Sequence, residues 1–114
     1  MRNLRAEGAK AEDRAADFLL AKGYTLVTRR RKVQGGEIDL VCLDGETLVF
    51  VEVKARRAPG YRPEESLGAA KARHLRAAAR SWAEACGESE RTWRFDLVAI
   101  DARGLRHYED VLAE

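Results

Sequence analysis

At 114 residues the chain can bury one hydrophobic core and is too short for two, so a single domain over residues 1–114 is expected. Its 46% hydrophobic and 35% charged residues form an ordinary globular mixture, which excludes a low-complexity or disordered chain. Net charge is only +2, too little by itself to indicate nucleic acid, and no apolar run approaches the roughly 20 residues of a membrane span.

The opening stretch MRNLRAEGAKAED lacks the apolar core of a signal peptide, and a cytoplasmic protein with no membrane partner is expected. From about Gly8 to Lys22, the residues Ala11, Ala15, Phe18 and Leu19 recur at helical spacing, and Gly23 supplies a stop. Tyr24 to Val33 is a strand candidate that Gln34-Gly35-Gly36 breaks. EIDLVCLDGETLVFVEVK then gives two apolar runs joined at Asp44-Gly45. Asp-Gly between such runs predicts a hairpin, because a type I′ turn needs φ > 0 at both central positions. Ala58 to Pro63 is a loop carrying both prolines.

A second helix is predicted from about Glu65 to Ala85, with Leu67, Lys71, Leu75, Ala78 and Trp82 along one stripe. Trp93 to Ile100 is a further apolar strand, Asp101 to Gly104 a turn, and the tail LRHYEDVLAE reads equally as a short strand or a helical end. The order α-β-β-β-α-β places the chain in the α/β class, with a central sheet covered by helices. Its central strands lack polar alternation, as expected when both faces are buried. Cys42 and Cys86 have no CxxC spacing and read as reduced core or helix-end residues.

VFVEVK holds the sharpest signal. Glu52 and Lys54 share one face of an apolar strand, where unpaired charges are costly. With Asp44 and Gly45 as the turn, Asp39 lies opposite Phe50 and Glu37 opposite Glu52, so Glu37, Asp39, Glu52 and Lys54 project together. Asp39 and Glu52 become diagonal neighbours, roughly 7 Å apart between Cα atoms. Two such carboxylates repel unless a proton or a cation sits between them. A hard divalent ion suits carboxylate and phosphate oxygens, and a lysine beside it can hold water or offset charge on phosphorus. The plainer reading is a surface ion pair at a strand end.

Basic residues cluster in two blocks, Arg29, Arg30, Arg31 and Lys32, then Lys54, Arg56, Arg57 and Arg62. Arginines outnumber lysines sixteen to five, and their planar fork suits phosphate, although solvated surface and GC-rich coding explain such a bias as well. A single Asn, Gln and Met would fit a heat-adapted source. Glu37 reads evenly as a metal contact or a turn cap, and Lys71 as a phosphate contact or a snorkelling side chain. His74 and His107 lack ligand-spaced partners and read as solvated or edge-of-core. Trp82 and Trp93 read as core, and Asp96 as the partner of an arginine on a neighbouring element.

GEIDL followed by VFVEVKARR resembles the PD-(D/E)xK nuclease signature, an Asp on one strand before E-x-K on the next. More closely, the chain resembles the YraN family of small bacterial proteins, similar to archaeal Holliday-junction resolvases. The likeness covers nearly the whole chain: GAKAEDRAADFLLAKGY as the opening helix, GEIDL and VFVEVK as the core, then the Lys71 helix and the RFD strand. Ala11 stands where the family often has glycine, and Arg30 where Asn is common.

The resemblance implies a restriction-endonuclease-like fold and Mg²⁺- or Mn²⁺-dependent hydrolysis of DNA, on branched or otherwise structured substrates. It implies Asp39, Glu52 and the Val53 carbonyl as metal ligands, Lys54 as the residue positioning water, and Glu12 as the helix-borne acid. Glu12 shares a helix face with Ala16 and Leu19, although a first-turn acid is also favoured by the helix dipole. Arg29, Arg30, Arg31, Lys32, Arg56, Arg57 and Lys71 are the expected DNA contacts. Cutting two strands would call for a two-fold homodimer. The rival expectation is a non-catalytic DNA- or RNA-binding module on the same fold.

Overall fold

The computed structural model describes residues 4–33, 36–56, 60, 62, 64 and 67–112. Helix α1 (Leu4–Ala21) leads into β1 (Thr25–Val33), β2 (Gly36–Asp44) and β3 (Thr47–Ala55). Helix α2 (Ala69–Ala85), β4 (Trp93–Asp101) and β5 (Gly104–Tyr108) complete the chain. The strands form one sheet in the order β1-β2-β3-β4-β5. Neighbours are antiparallel except β3 and β4, whose parallel pairing requires the crossover that α2 supplies. This is the expected mixed α/β sheet, and the ambiguous tail resolves as the edge strand β5.

The sheet is covered on both faces because β3 points apolar side chains both ways. Val49 and Val51 pack with Ala11, Ala15, Ala16 and Leu19 of α1. Leu48 and Phe50 pack with Leu75, Ala78, Ala79 and Trp82 of α2. Phe50 sits among the rings of Trp82, Trp93 and Phe95, with centroids 5.4–5.8 Å away. Both tryptophans are therefore packing residues. Cys42 is buried and Cys86 is the exposed C-cap of α2, both as free thiols.

Helix α1 begins before Gly8 and closes at the expected glycine. Gly23 has φ +104°, Tyr24 N–H donates to Leu19 O at 3.0 Å, and Gly23 N–H donates to Leu20 O. This Schellman closure aims Tyr24 back under the sheet. Helix α2 begins at Ala69 behind Gly68, later than Glu65, which lies outside the described residues. The proline loop also lies largely outside them, as does Arg57.

The β2–β3 turn differs from the sequence expectation. Asp44 pairs with Thr47 and Val41 with Phe50, so the turn residues are Gly45 and Glu46. Gly45 has φ +61° while Glu46 stays at negative φ, the sign pattern of a type II′ turn. Asp44 stays in the ladder because Arg94 Nη1, from β4, donates to its Oδ2 at 3.1 Å. The slip is two residues, so every side chain keeps its face. Continued further, this register sets Asp39 across from Glu52 and not diagonal to it.

Candidate active site at the mouth of the β2–β3 hairpin

Strands β2 and β3 outrun their pairing with each other while staying paired to β1 and β4. The ladder ends at Leu40 and Val51, whereas β2 begins at Gly36 and β3 runs to Ala55. In the opened mouth the Val53 N–H donates to Asp39 Oδ2 at 2.9 Å. Glu52, 6% exposed, points to the α2 side with Phe50. Lys71 Nζ, from the first turn of α2, lies 3.3 Å from Glu52 Oε2. Lys54 Nζ lies 4.0 Å from Oε1. Lys71 thus leaves its stripe to meet a buried acid, which explains a lysine on an otherwise apolar helix face.

A cavity of about 640 Å³ fills the mouth. Gly8, Ala11 and Glu12 of α1 line one side, Glu37 and Asp39 of β2 another, and Glu52 through Arg56 with Lys71 the rest. All four acids and lysines expected at the catalytic centre, Glu12, Asp39, Glu52 and Lys54, meet here, with Glu37 exposed at the rim.

Burial, then the charge and side-chain hydrogen bond of Glu52, push the Asp39 carboxyl up to about 8, against the lowering effect of the Val53 N–H. A cation between the two carboxylates would offset the same repulsion that raises Asp39. Two contacting carboxylates beside a strand backbone, a hard-oxygen donor set, fit Mg²⁺ or Mn²⁺ well.

The basic residues distribute unevenly. Arg29 is bonded to Asp13 and Arg30 to Glu12, tying β1 to α1. Arg30 does so from φ +53°, an uncommon conformation for a non-glycine residue. Arg31 Nε donates to Thr28 Oγ1 at 2.7 Å, Lys32 is exposed, and Arg56 Nη1 donates to Ala55 O at 2.7 Å.

A second polar cluster lies toward the opposite end of the sheet. Asp96 is wholly buried, and its arginine is Arg94 on the same strand, not on a neighbouring element. Asp96 accepts from Arg94 Nε at 3.0 Å, from His107 Nε2 at 2.8 Å and from the Asp110 N–H at 3.0 Å. Lys22 Nζ lies 2.9 Å from His107 Nδ1, and since an ammonium only donates, the Nε2–H donates to Asp96. Tyr24 Oη donates to Glu109 Oε1 at 2.8 Å and accepts from Arg94 Nη2 at 2.7 Å. Burial alone would raise the Asp96 carboxyl, but the bonds from His107, Arg94 and Asp110 hold it below its ordinary value.

Ligand atoms of Asp96, His107 and Glu109 lie within 4.8 Å of one another. Arg94 and Lys22 already supply the positive charge there, so an ion would have to displace a guanidinium that also holds Asp44 and Tyr24. This cluster acts as a fastener between β4, β5 and the end of α1. Sequence reasoning missed its extent; its signal was a lone aspartate in the apolar run WRFDLVAI.

Fold and site together define a small α/β domain with an acid–lysine cleft at a splayed hairpin. The chain belongs to the uncharacterised protein family UPF0102, whose profile it matches over residues 11–100, and this is the YraN family that the motifs resemble. It is 44% identical over 96 residues to a UPF0102 protein of Anaeromyxobacter dehalogenans, covering 83% of this chain and 72% of that one. A UPF0102 protein of Nitratidesulfovibrio vulgaris is 40% identical over 110 residues, covering 92% and 82%. One from Symbiobacterium thermophilum is 42% identical over 98 residues, covering 85% and 83%.

Proposed function

We propose that the protein is a metal-dependent endonuclease that hydrolyses phosphodiester bonds in DNA, with branched or structured DNA as its substrate. One observation carries the reading: Asp39 and Glu52 line one cavity as neighbouring acids, with Lys54 and Lys71 both reaching Glu52. A purely structural ion pair needs neither the second acid nor the opened ladder.

Asp39, Glu52 and the Val53 carbonyl would hold Mg²⁺ or Mn²⁺, which when bound supplies Lewis acidity and a water acidic enough to attack near neutral pH. Lys54 donates to the attacking water and to the charge that develops on the phosphoryl oxygens. Glu12 faces the same cavity from α1 and orients the water or a phosphate-bound proton. Lys71 secures Glu52 and meets the substrate phosphate from the α2 side. Attack is in line: the new P–O bond forms opposite the departing ester oxygen, which takes its proton from solvent. One chain carries one such site, so paired cuts across a junction require a two-fold dimer.

The test is a cleavage panel of linear, nicked, flapped and four-way DNA, with Mg²⁺, Mn²⁺ or EDTA. Metal-dependent cutting of at least one substrate is expected. If wild type binds these molecules and cuts none of them, nor RNA, with any ion, the protein is the non-catalytic nucleic-acid-binding module instead.

A further inference from the structure

We infer that Arg30 is a positioning residue for the proposed hydrolysis: from a left-handed turn of β1 it holds Glu12 in one orientation at the cavity. The inference rests on the nuclease reading for the reaction that Glu12 serves. It gives Arg30 a role inside the site, where the family resemblance implies a DNA contact.

Strand β1 stays paired on either side of Arg30. Arg29 pairs with Leu40 and Arg31 with Ile38, and the step between them, Arg30 and Asp39, is left out of the ladder. There Arg30 takes φ +53°, and among the described residues only Asp110 also has positive φ without being glycine. Left-handed backbone is disfavoured for a long side chain, and a strand that needed only an irregular step would be served by glycine without that cost. Strain of this kind persists where the surroundings enforce it, and it gathers at functional sites.

The side chain supplies the hold. Arg30 Nε donates to Glu12 Oε1, and no other residue bonds the Glu12 carboxylate among the described residues. The Glu12 side chain is only 12% exposed and lines the cavity with Asp39 and Glu52. Lys54 and Lys71 both reach Glu52, so the counter-charge at the Glu12 end of the acid cluster is Arg30. A second tie, Arg29 to Asp13, joins the same strand and helix from ordinary backbone and from an acid that is 62% exposed. What Arg30 adds to that tie is a fixed glutamate at the cavity. An unheld glutamate visits several rotamers, and work on a reacting water requires one.

The experiment compares wild type, Arg30→Gly, Glu12→Ala and the double variant. It reads single-turnover cleavage of a four-way junction in Mg²⁺, junction binding by anisotropy in Ca²⁺, urea unfolding, and the Glu12 side chain in crystal structures. Arg30→Gly should slow cleavage about tenfold or more while leaving the junction Kd close to wild type. Its urea midpoint should equal or exceed that of wild type, because glycine relieves the left-handed turn and a partly exposed ion pair offsets little. Glu12 should lose its single conformer. In the Glu12→Ala background, Arg30→Gly should slow cleavage no further, because it acts through that carboxylate. Asp13→Ala, which breaks the parallel tie, should cleave at the wild-type rate. Losses that multiply in the double variant, a loss confined to Kd, or a lowered urea midpoint with cleavage intact would overturn the positioning role. A wild type that cuts nothing with any ion, while Arg30→Gly still releases Glu12, would sink the nuclease reading and leave the hold on Glu12 standing. Full-rate cleavage by Arg30→Gly with Glu12 unmoved would do the reverse.

Discussion

Asp39 Oδ2 takes the Val53 N–H at 2.9 Å, a donor that a continued β2–β3 ladder would have given to a main-chain carbonyl. The carboxylate therefore replaces a ladder bond and is fixed by backbone, not by a flexible partner. The same contact holds the Val53 peptide beside the acid pair, where its carbonyl would serve as a third oxygen ligand. Preorganisation of this kind is what an ion site at a strand end requires.

Stability without an ion should fall as pH rises. Asp39 is pushed up to about 8 in the fold, whereas an unfolded aspartate titrates near 3.9, so between these values the folded chain binds the extra proton. Its contribution is complete at the acid end of that window and is lost as pH climbs through about 8. Mn²⁺ must displace the proton, so its stabilising shift should grow over the same range. Melting curves from pH 5 to 9 check this. Asp39→Asn should flatten the decline and lose the Mn²⁺ response, and a wild-type melting temperature that rises toward pH 8 without ion contradicts it.

The fastener at Asp96 should matter to stability and not to ion binding. Asp96→Ala strands Arg94 and His107, and breaking a buried pair this way costs about 3–5 kcal/mol. Because the Asp96 carboxyl is held low, its contribution is present above the unfolded value near 3.9 and disappears as pH falls through the folded one. Urea unfolding of Asp96→Ala and His107→Gln should show the loss. The Mn²⁺ shift should survive in His107→Gln; its disappearance there would move the ion site to Asp96, His107 and Glu109.

Much of the site was legible because strand parity survives a two-residue slip. Glu37, Asp39, Glu52 and Lys54 reach one cavity although the turn lies at Gly45-Glu46. The Asp-Gly preference lost to a tertiary bond, Arg94 to Asp44, which no local pattern announces. Glu52 and Asp96 are both lone acids in apolar strands, yet only Glu52 had its companions nearby in sequence. Asp96 is bonded by Arg94, His107 and Asp110, and the side chains that these meet in turn reach back to Lys22 and Tyr24. The ion pairs of Arg29 and Arg30 with Asp13 and Glu12 were not legible in the basic run itself, because those acids lie on the preceding helix.

The turn itself can be checked by substitution. Gly45→Ala places a side chain at φ +61° and should cost roughly 1–2 kcal/mol in urea unfolding. Glu46→Gly should not stabilise, since Glu46 already has negative φ. A clear gain from Glu46→Gly would favour the type I′ turn at this hairpin.

The two lysines should separate kinetically. On the proposed reading Lys54 acts on the attacking water and the phosphoryl charge, so Lys54→Ala should lower kcat by about 10²–10³. Lys71→Ala removes the ion pair to Glu52 and should appear mainly as weaker substrate binding. Single-turnover cleavage beside anisotropy in Ca²⁺ distinguishes them, and identical kinetic defects would merge their roles.

The most direct measurement is Mg²⁺-dependent cutting of one four-way DNA junction, labelled in each arm, by wild type, Asp39→Asn and Lys54→Ala in parallel. Wild type should cut in Mg²⁺ and not in EDTA. Both variants should bind the junction, Asp39→Asn at least as tightly because it removes a negative charge near phosphate, and neither should cut at a measurable rate. Cutting by Asp39→Asn at the wild-type rate would place the chemistry elsewhere than the mouth of the β2–β3 hairpin.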